Sequence, residues 1–326
     1  MKDMASTPTY DFIRLERKPT ARLCYSFNPA TTSTATKPTL VVFVNGLGLP
    51  QAGWALTIDK LREFSPHNLP ALLTYDRFGQ GQSVDRDPAD EGAADPSHAH
   101  DCMSAVRDMR QLIIQIAKDK MNIGEPDTLR IVFVGNSVGC SLIRLYAHEY
   151  SGTVSGILFL DSTLTDTDFV SIFPDPDAES FDPSLPSGVT AENLRDAREK
   201  IRQRFHPDIG SKEGLSRRNL FQLLPHADSP PLYNAGDDAP YVTVLGHDFE
   251  FFAERTEIDL GIPVAVIQTY MNTYWHRYNQ GLAKLTAPER SQGPLQVPGA
   301  GHFIQADNPA YVAERLHKML QLLGFD

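Results

Sequence analysis

The chain has 326 residues, 41% of them hydrophobic, enough for one large core and too apolar for a disordered chain. A formal net charge of −11 argues against nucleic acid or an anionic membrane surface as a partner, and no apolar run is long enough to span a bilayer. Three cysteines (Cys24, Cys102 and Cys140) cannot all pair and lack ligand spacing, and the start of the chain shows no signal-peptide core, so reduced thiols in a cytoplasmic protein are expected.

Residues 1–9 read as disordered. Phe12–Leu15 and Arg22–Phe27 alternate polar and apolar residues, the pattern of an antiparallel hairpin at a sheet edge, and a Thr/Ala/Ser/Pro loop follows from Pro29 to Pro38. Leu40–Val44 reads as a strand buried on both faces that runs into Asn45-Gly46-Leu47-Gly48. A helix over 52–64, a strand over 71–75 and the stretch Asp76-Arg77-Phe78-Gly79-Gln80-Gly81-Gln82-Ser83 come next, then an acidic, Pro-rich surface loop over 84–96. His98-x-His100-Asp101 reads as the polar start of a helix rather than as a metal site. That helix is predicted from His100 to Met121, with Val106, Met109, Leu112, Ile113 and Ile116 on one face.

Ile131–Val134 is a further buried strand. It runs into Gly135-Asn136-Ser137-Val138-Gly139 and then into a helix, and Gly156–Leu160 is another strand, ending at Asp161. The pattern changes over 164–238, which hold no strand signal, many prolines, and helical pieces at 191–205 and 215–224. Tyr241–Leu245 resumes the sheet, 263–285 reads as a long aromatic helix, 295–297 as the last strand and 309–323 as a closing helix. Alternating buried strands and helices predict an α/β fold, a mostly parallel sheet flanked by helices with an inserted helical cap. The expected division is a core of 1–163 and 239–326 with the cap or lid at 164–238.

Strand, G-x-S-x-G and helix in that order is the setting of a nucleophile elbow, in which a tight, strained turn lifts a serine oxygen above the sheet. Ser137 is the expected nucleophile, and the Val138 N–H at the helix start is an expected oxyanion donor. The second donor is expected from Leu47 or Gly46, in the glycine turn after the first buried strand. The base should be a histidine on a loop at the carboxyl end of a late strand, and His302, between Gly301 and Phe303, meets that description. Two strand-end acids, Asp161 and Asp248, are both able to orient it.

Taken together, Asn45-Gly46-Leu47-Gly48, Asp76-x-x-Gly79-x-Gly81-x-Ser83, Gly135-x-Ser137-x-Gly139, Asp161 and Gly301-His302 resemble the α/β-hydrolase superfamily over nearly the whole chain. The Asn45 loop looks like that of fungal zearalenone lactonases, and the arrangement also resembles fungal acyl-CoA hydrolases of polyketide and toxin pathways. The resemblance implies a triad acid after the strand that follows the elbow helix, which is Asp161, with Asp248 as the alternative. It also implies a serine hydrolase of secondary metabolism that cleaves an ester, lactone or thioester of a hydrophobic small molecule without metal or cofactor. A lyase or cyclase, or a ligand receptor, on the same fold is the alternative.

Asn45, Asn136, Phe173 and Phe221 are the expected substrate contacts; Phe169, Ile172, Phe205, Leu220 and Leu224 either roof the same pocket or pack the cap on the sheet. The expected partner is the small-molecule substrate, with a homodimer left open and neither nucleic acid nor membrane expected.

Overall fold

A computed structural model describes residues 9–31, 37–125, 128–234 and 238–325. The expectation of disorder over 1–9 therefore falls almost entirely outside the described residues, as does the middle of the 29–38 loop. Eight strands form one sheet: β1 (Asp11–Leu15), β2 (Lys18–Asn28), β3 (Thr39–Val44), β4 (Ala71–Tyr75), β6 (Arg130–Asn136), β7 (Val154–Leu160), β9 (Tyr241–Gly246) and β10 (Ser291–Gln296). Two-residue strands β5 (His100–Asp101) and β8 (Leu215–Ser216) pair with each other apart from it.

The order across the sheet is β1-β2-β4-β3-β6-β7-β9-β10. From β4 to β10 all neighbours are parallel, and β1 and β2 join antiparallel at one edge. Every residue of β3 and β4 is buried, the consequence of mostly apolar strands in a parallel sheet covered on both faces. The edge strand β10 is half exposed and begins four residues before the expected start, at Ser291. It carries Gly293 and Pro294, which an edge tolerates because one side of the ladder is unpaired.

The helices are α1 (Ala55–Phe64), α2 (Cys102–Met121), α3 (Val138–Glu149), α4 (Ala191–Phe205), α5 (Leu220–Leu223), α6 (Phe249–Leu260), α7 (Val264–Val266), α8 (Thr273–Leu282), α9 (Ile304–Asp307) and α10 (Pro309–Leu322). One core lies on the face carrying α2 and α3, where Met109, Ile113, Phe133 and Tyr146 meet, and the other lies under α1 and α10, where Phe43, Trp54, Leu158 and Leu316 meet. The α2 helix starts two residues later than expected, capped by Asp101, whose carboxylate accepts from the Ser104 N–H at 2.9 Å.

Three expectations need correction. The apolar spacing at 215–224 is not one helix: Gly214 turns the chain at φ 84, Leu215 pairs with His100 in β8, and only Leu220–Leu223 is helical. Leu215 is buried from β8, Leu220 from the start of α5 and Leu224 from just past its end, rather than all from one helix face. The long helix at 263–285 is broken in register, with a π turn over Ile267–Asn272 between α7 and α8. Helix α6 was not expected at all, although Asp248 caps its start and Gly261, at φ 64, ends it.

Candidate active site

β6 delivers the chain to Ser137, which sits at φ 56 and ψ −126, a backbone conformation that costs a non-glycine residue about 1–3 kcal/mol. The neighbours leave no alternative. A Cβ at Gly139 would collide with the Val44 carbonyl and lie 2.9 Å from that of Asn45, and one at Gly135 would strike the Ile143 side chain. The Ser137 N–H donates to the Leu160 carbonyl at 3.2 Å, and its own carbonyl accepts from Cys140 at 3.0 Å and Thr163 at 3.1 Å. With its backbone held on both sides, the side chain stands at the mouth of α3, where the Val138 N–H is among the helix-start donors without an intrahelical acceptor. The loop after β3 closes the other flank: a Cβ at Gly46 would lie 3.2 Å from that of Ser137. Strands β3 and β6 are neighbours from which the sheet grows in opposite directions, so this is its topological switch point.

His302 arrives on the loop between β10 and α9. Asn136 Nδ2 donates to its carbonyl at 2.9 Å, tying that loop to the elbow, and Asp307 accepts from the Gly301 N–H at 2.9 Å. His302 Nδ1 lies 2.7 Å from Asp161 Oδ2. An ionised carboxylate only accepts, so Nδ1 carries the proton and Nε2 keeps its lone pair free for a substrate-side proton. The His302 side chain is 24% exposed against 0% for Asp161, so the pair runs from solvent-accessible ring to fully buried acid. Burial would push the Asp161 carboxyl up, but His247 and His302 outweigh it and hold it at about 2.

Asp161 serves two rings. Its Oδ1 lies 2.8 Å from His247 Nδ1, and His247 Nε2 lies 3.1 Å from Asn272 Oδ1. The Asn272 amide is oriented by its Nδ2, which donates to the Phe249 carbonyl at 2.9 Å, so an acceptor faces each nitrogen of His247. His247 is stacked on Phe252, ring centroids 4.0 Å apart, and Trp275 packs edge-on against it. Asn272 closes the π turn, a local distortion of the kind that recurs where a side chain is re-aimed at a functional site.

A model of the alpha/beta hydrolase family matches residues 41–315. The chain belongs to that family. Protein phosphatase methylesterase 1 of Emericella nidulans (strain FGSC A4) is 24% identical to it over 308 residues, 87% of this chain and 68% of that protein. A candidate lipase from Acinetobacter baumannii AYE shares the fold with a TM-score of 0.53 and 15% identity, over 97% of this chain and 92% of its own. A candidate aryl esterase from Burkholderia cenocepacia does so with a TM-score of 0.53 and 14% identity, over 97% and 99%. At these identities the likeness to the two structures is one of fold.

In this alpha/beta hydrolase the two strand-end acids separate cleanly. Asp248 does not reach the His302 ring: its carboxylate caps α6 through Glu250 and Phe251 and accepts from the Gly299 N–H at 3.0 Å. Three of the four expected substrate contacts are scaffold. Asn45 is buried, with its oxygen taken by Trp54 Nε1 at 2.7 Å and its nitrogen by the Tyr75 carbonyl at 2.9 Å. Asn136 is consumed by the Leu160 and His302 carbonyls, and Phe173 is 99% buried against Tyr270. Phe221 is exposed, at the rim of a cavity of about 20 Å³ that it shares with Thr163, Leu164 and Phe169, room for a single water.

His98 and His100 serve structure. His98 contacts the Asp208 carbonyl at 3.0 Å and Ser216 at 3.2 Å. Among the described residues Asp87, Asp90 and His100 form the one cluster with metal-ligand spacing, but Lys18 and Arg86 already stand 2.5 Å and 3.0 Å from its carboxylates. Sequence reasoning passed over His247; its place immediately before Asp248, at the end of a buried strand, was the available signal.

Proposed function

We propose that this hydrolase cleaves an ester, lactone or thioester of a hydrophobic small molecule, with Ser137 as nucleophile, His302 as base and Asp161 as its orienting acid. The observation that carries the reading is the 2.7 Å contact between His302 Nδ1 and the buried Asp161, on a loop that Asn136 ties to the strained Ser137 turn. His302 takes the Ser137 proton through Nε2 as the serine oxygen adds to the carbonyl carbon. The N–H groups of Val138 and of Leu47 or Gly46 hold the tetrahedral oxyanion. His302 then protonates the leaving group, and water attacks the acyl-enzyme by the same route. Asp161 keeps the imidazole in the tautomer that leaves Nε2 unprotonated.

Residues 164–238 act as the cap in this reading. Their described residues contribute no strand to the main sheet, and Glu213 among them touches the loops after β3 and β4, beside Ser137. The cavity beneath Phe221 has room for one water only, so a substrate of drug-like size bound there requires the cap to shift. Trp275 and Phe303, ring centroids 5.4 Å and 5.1 Å from His302, supply the apolar wall that favours a hydrophobic acyl or alcohol group. The likeness to a methylesterase supports ester cleavage, and the Asn45-Gly46-Leu47-Gly48 loop supports a lactone or thioester of the fungal polyketide type.

The test is fluorophosphonate labelling with p-nitrophenyl ester hydrolysis, followed by a panel of lactones, esters and acyl-CoA thioesters. Ser137→Ala is expected to abolish labelling and to lower kcat by at least about 10⁴. Parent-like turnover in that variant refutes the scheme, and labelling of the parent without ester turnover transfers the case to a lyase or a receptor.

A further inference from the structure

The loop that flanks Ser137 is held by a buried ion pair whose two members lie 136 positions apart. Arg77 belongs to the turn after β4; Glu213 lies in the 164–238 segment, and both side chains are almost wholly buried. Arg77 Nε donates to Glu213 Oε2 at 2.7 Å and Nη2 to Oε1 at 3.0 Å, a two-pronged match that only a guanidinium makes. The same guanidinium also donates to the loop, Nη1 to the Asn45 carbonyl at 2.8 Å and Nη2 to the Gly46 carbonyl at 2.9 Å. Glu213 Oε1 accepts from the Gly48 N–H at 2.9 Å, and Gln80 Nε2 supports the Gly46 carbonyl at 2.9 Å. The contact is close: a Cβ at Gly79, itself at φ 72, would come within 3.1 Å of the Glu213 Cα.

Peptide planarity turns this into a statement about the oxyanion site. In a trans peptide the C=O and N–H point in opposite directions. Drawing the carbonyls of Asn45 and Gly46 onto one guanidinium turns the N–H groups of Gly46 and Leu47 away from it, and Gly46 lies against Ser137. Burying an ion pair is a weak source of stability, because desolvation offsets most of the Coulomb attraction. Orientation of two consecutive peptide units is what this pair supplies that a packed apolar pair would not.

We propose that Glu213 is a positioning residue: through Arg77 it orients the Asn45–Leu47 peptides, so that seating the 164–238 segment on the core assembles the second half of the oxyanion hole. The proposal rests on the reading of Ser137 as nucleophile. A flipped peptide here leaves the nucleophile and base intact but removes a donor from the developing oxyanion, so the loss falls on kcat rather than on KM.

The test uses the full-length protein with p-nitrophenyl acetate, and a trifluoromethyl ketone as a probe that forms a tetrahedral oxyanion adduct. Glu213→Gln is expected to lower kcat about 10- to 100-fold with KM within about threefold, and to weaken the ketone by a similar factor. The paired replacement Arg77→Met with Glu213→Leu leaves no stranded buried charge, so it keeps the fold testable where Glu213→Gln is unstable, and it should show the same split. Either folded variant with parent kcat and parent ketone affinity overturns the clamp, as does a loss confined to KM. Ser137→Ala in the same assay separates the two claims: if that variant also keeps parent kcat, the nucleophile assignment fails rather than the clamp.

Discussion

At the scale of single residues the site turns on one carboxylate with two neighbours. Asp161 is fully buried, at φ 42, with His302 on one oxygen and His247 on the other. Replacing it by Asn leaves one accepting oxygen for two rings and an N–H donor in place of the other, which favours the wrong His302 tautomer. The expected fall in kcat is about 10³- to 10⁴-fold. Asp248→Ala should leave kcat within a few-fold and cost about 1 kcal/mol, the loss of an N-cap, in chemical denaturation. The reverse pattern, with Asp248 catalytically required and Asp161 dispensable, would overturn the assignment.

The same carboxylate sets a pH dependence. Its folded-state value of about 2 lies below the unfolded value near ~3.9, so the native state favours the ionised form. That contribution, about 2 kcal/mol, is fully present above ~pH 5 and is lost as pH falls toward 2. Urea denaturation of the parent and of Asp161→Asn from pH 6 to pH 2 should show the stability gap narrowing by about that amount on the acid side. A gap that does not narrow would mean the histidines do not hold the carboxyl down.

At the scale of elements, agreement between sequence and structure followed how strongly an element buries one face. Strands β3, β4, β6, β7 and β9 stood out because both sides of a parallel sheet are covered, which demands unbroken apolar runs. Helix α4 appeared at its predicted bounds, with Thr190 capping Asn193. Helix α6 was missed because it buries little: of Phe249–Leu260 only Ala253 is fully buried, so no apolar stripe marks it. The stretch 215–224 erred in the opposite sense, since leucines buried from a short strand and a single helical turn imitated the spacing of one longer helix. Gly261, at φ 64, ends α6, and a Cβ there meets only the Lys200 Nζ at 3.2 Å. Gly261→Ala is therefore expected to cost about 1 kcal/mol in thermal or chemical denaturation through backbone strain alone, with kcat unchanged.

At the scale of the whole molecule, all three cysteines are buried, Cys102 and Cys140 within the core under α2 and α3. Burial pushes the thiols up, Cys24 to about 11 and Cys102 and Cys140 to about 12. Native protein at neutral pH should react slowly or not at all with a thiol reagent such as dithiobisnitrobenzoate, and three equivalents should react on unfolding in denaturant. Rapid native reaction of one thiol would mean that its shell opens. No helix among the described residues is long and apolar enough to cross a membrane.

The amino-acid sequence alone determined the strand runs, the glycine-flanked elbow and the position of His302 at a strand end, because each depends on neighbours within a few residues. Tertiary structure decided the rest. It separated Asp161 from Asp248, which look alike as strand-end acids, by placing one against a ring 141 positions away and the other at a helix start. It turned Asn45 and Asn136 from apparent ligand contacts into scaffold, and joined Arg77 to Glu213 across 136 positions. These outcomes depend on which buried polar groups find partners once the sheet is assembled, and residue spacing carries no record of that.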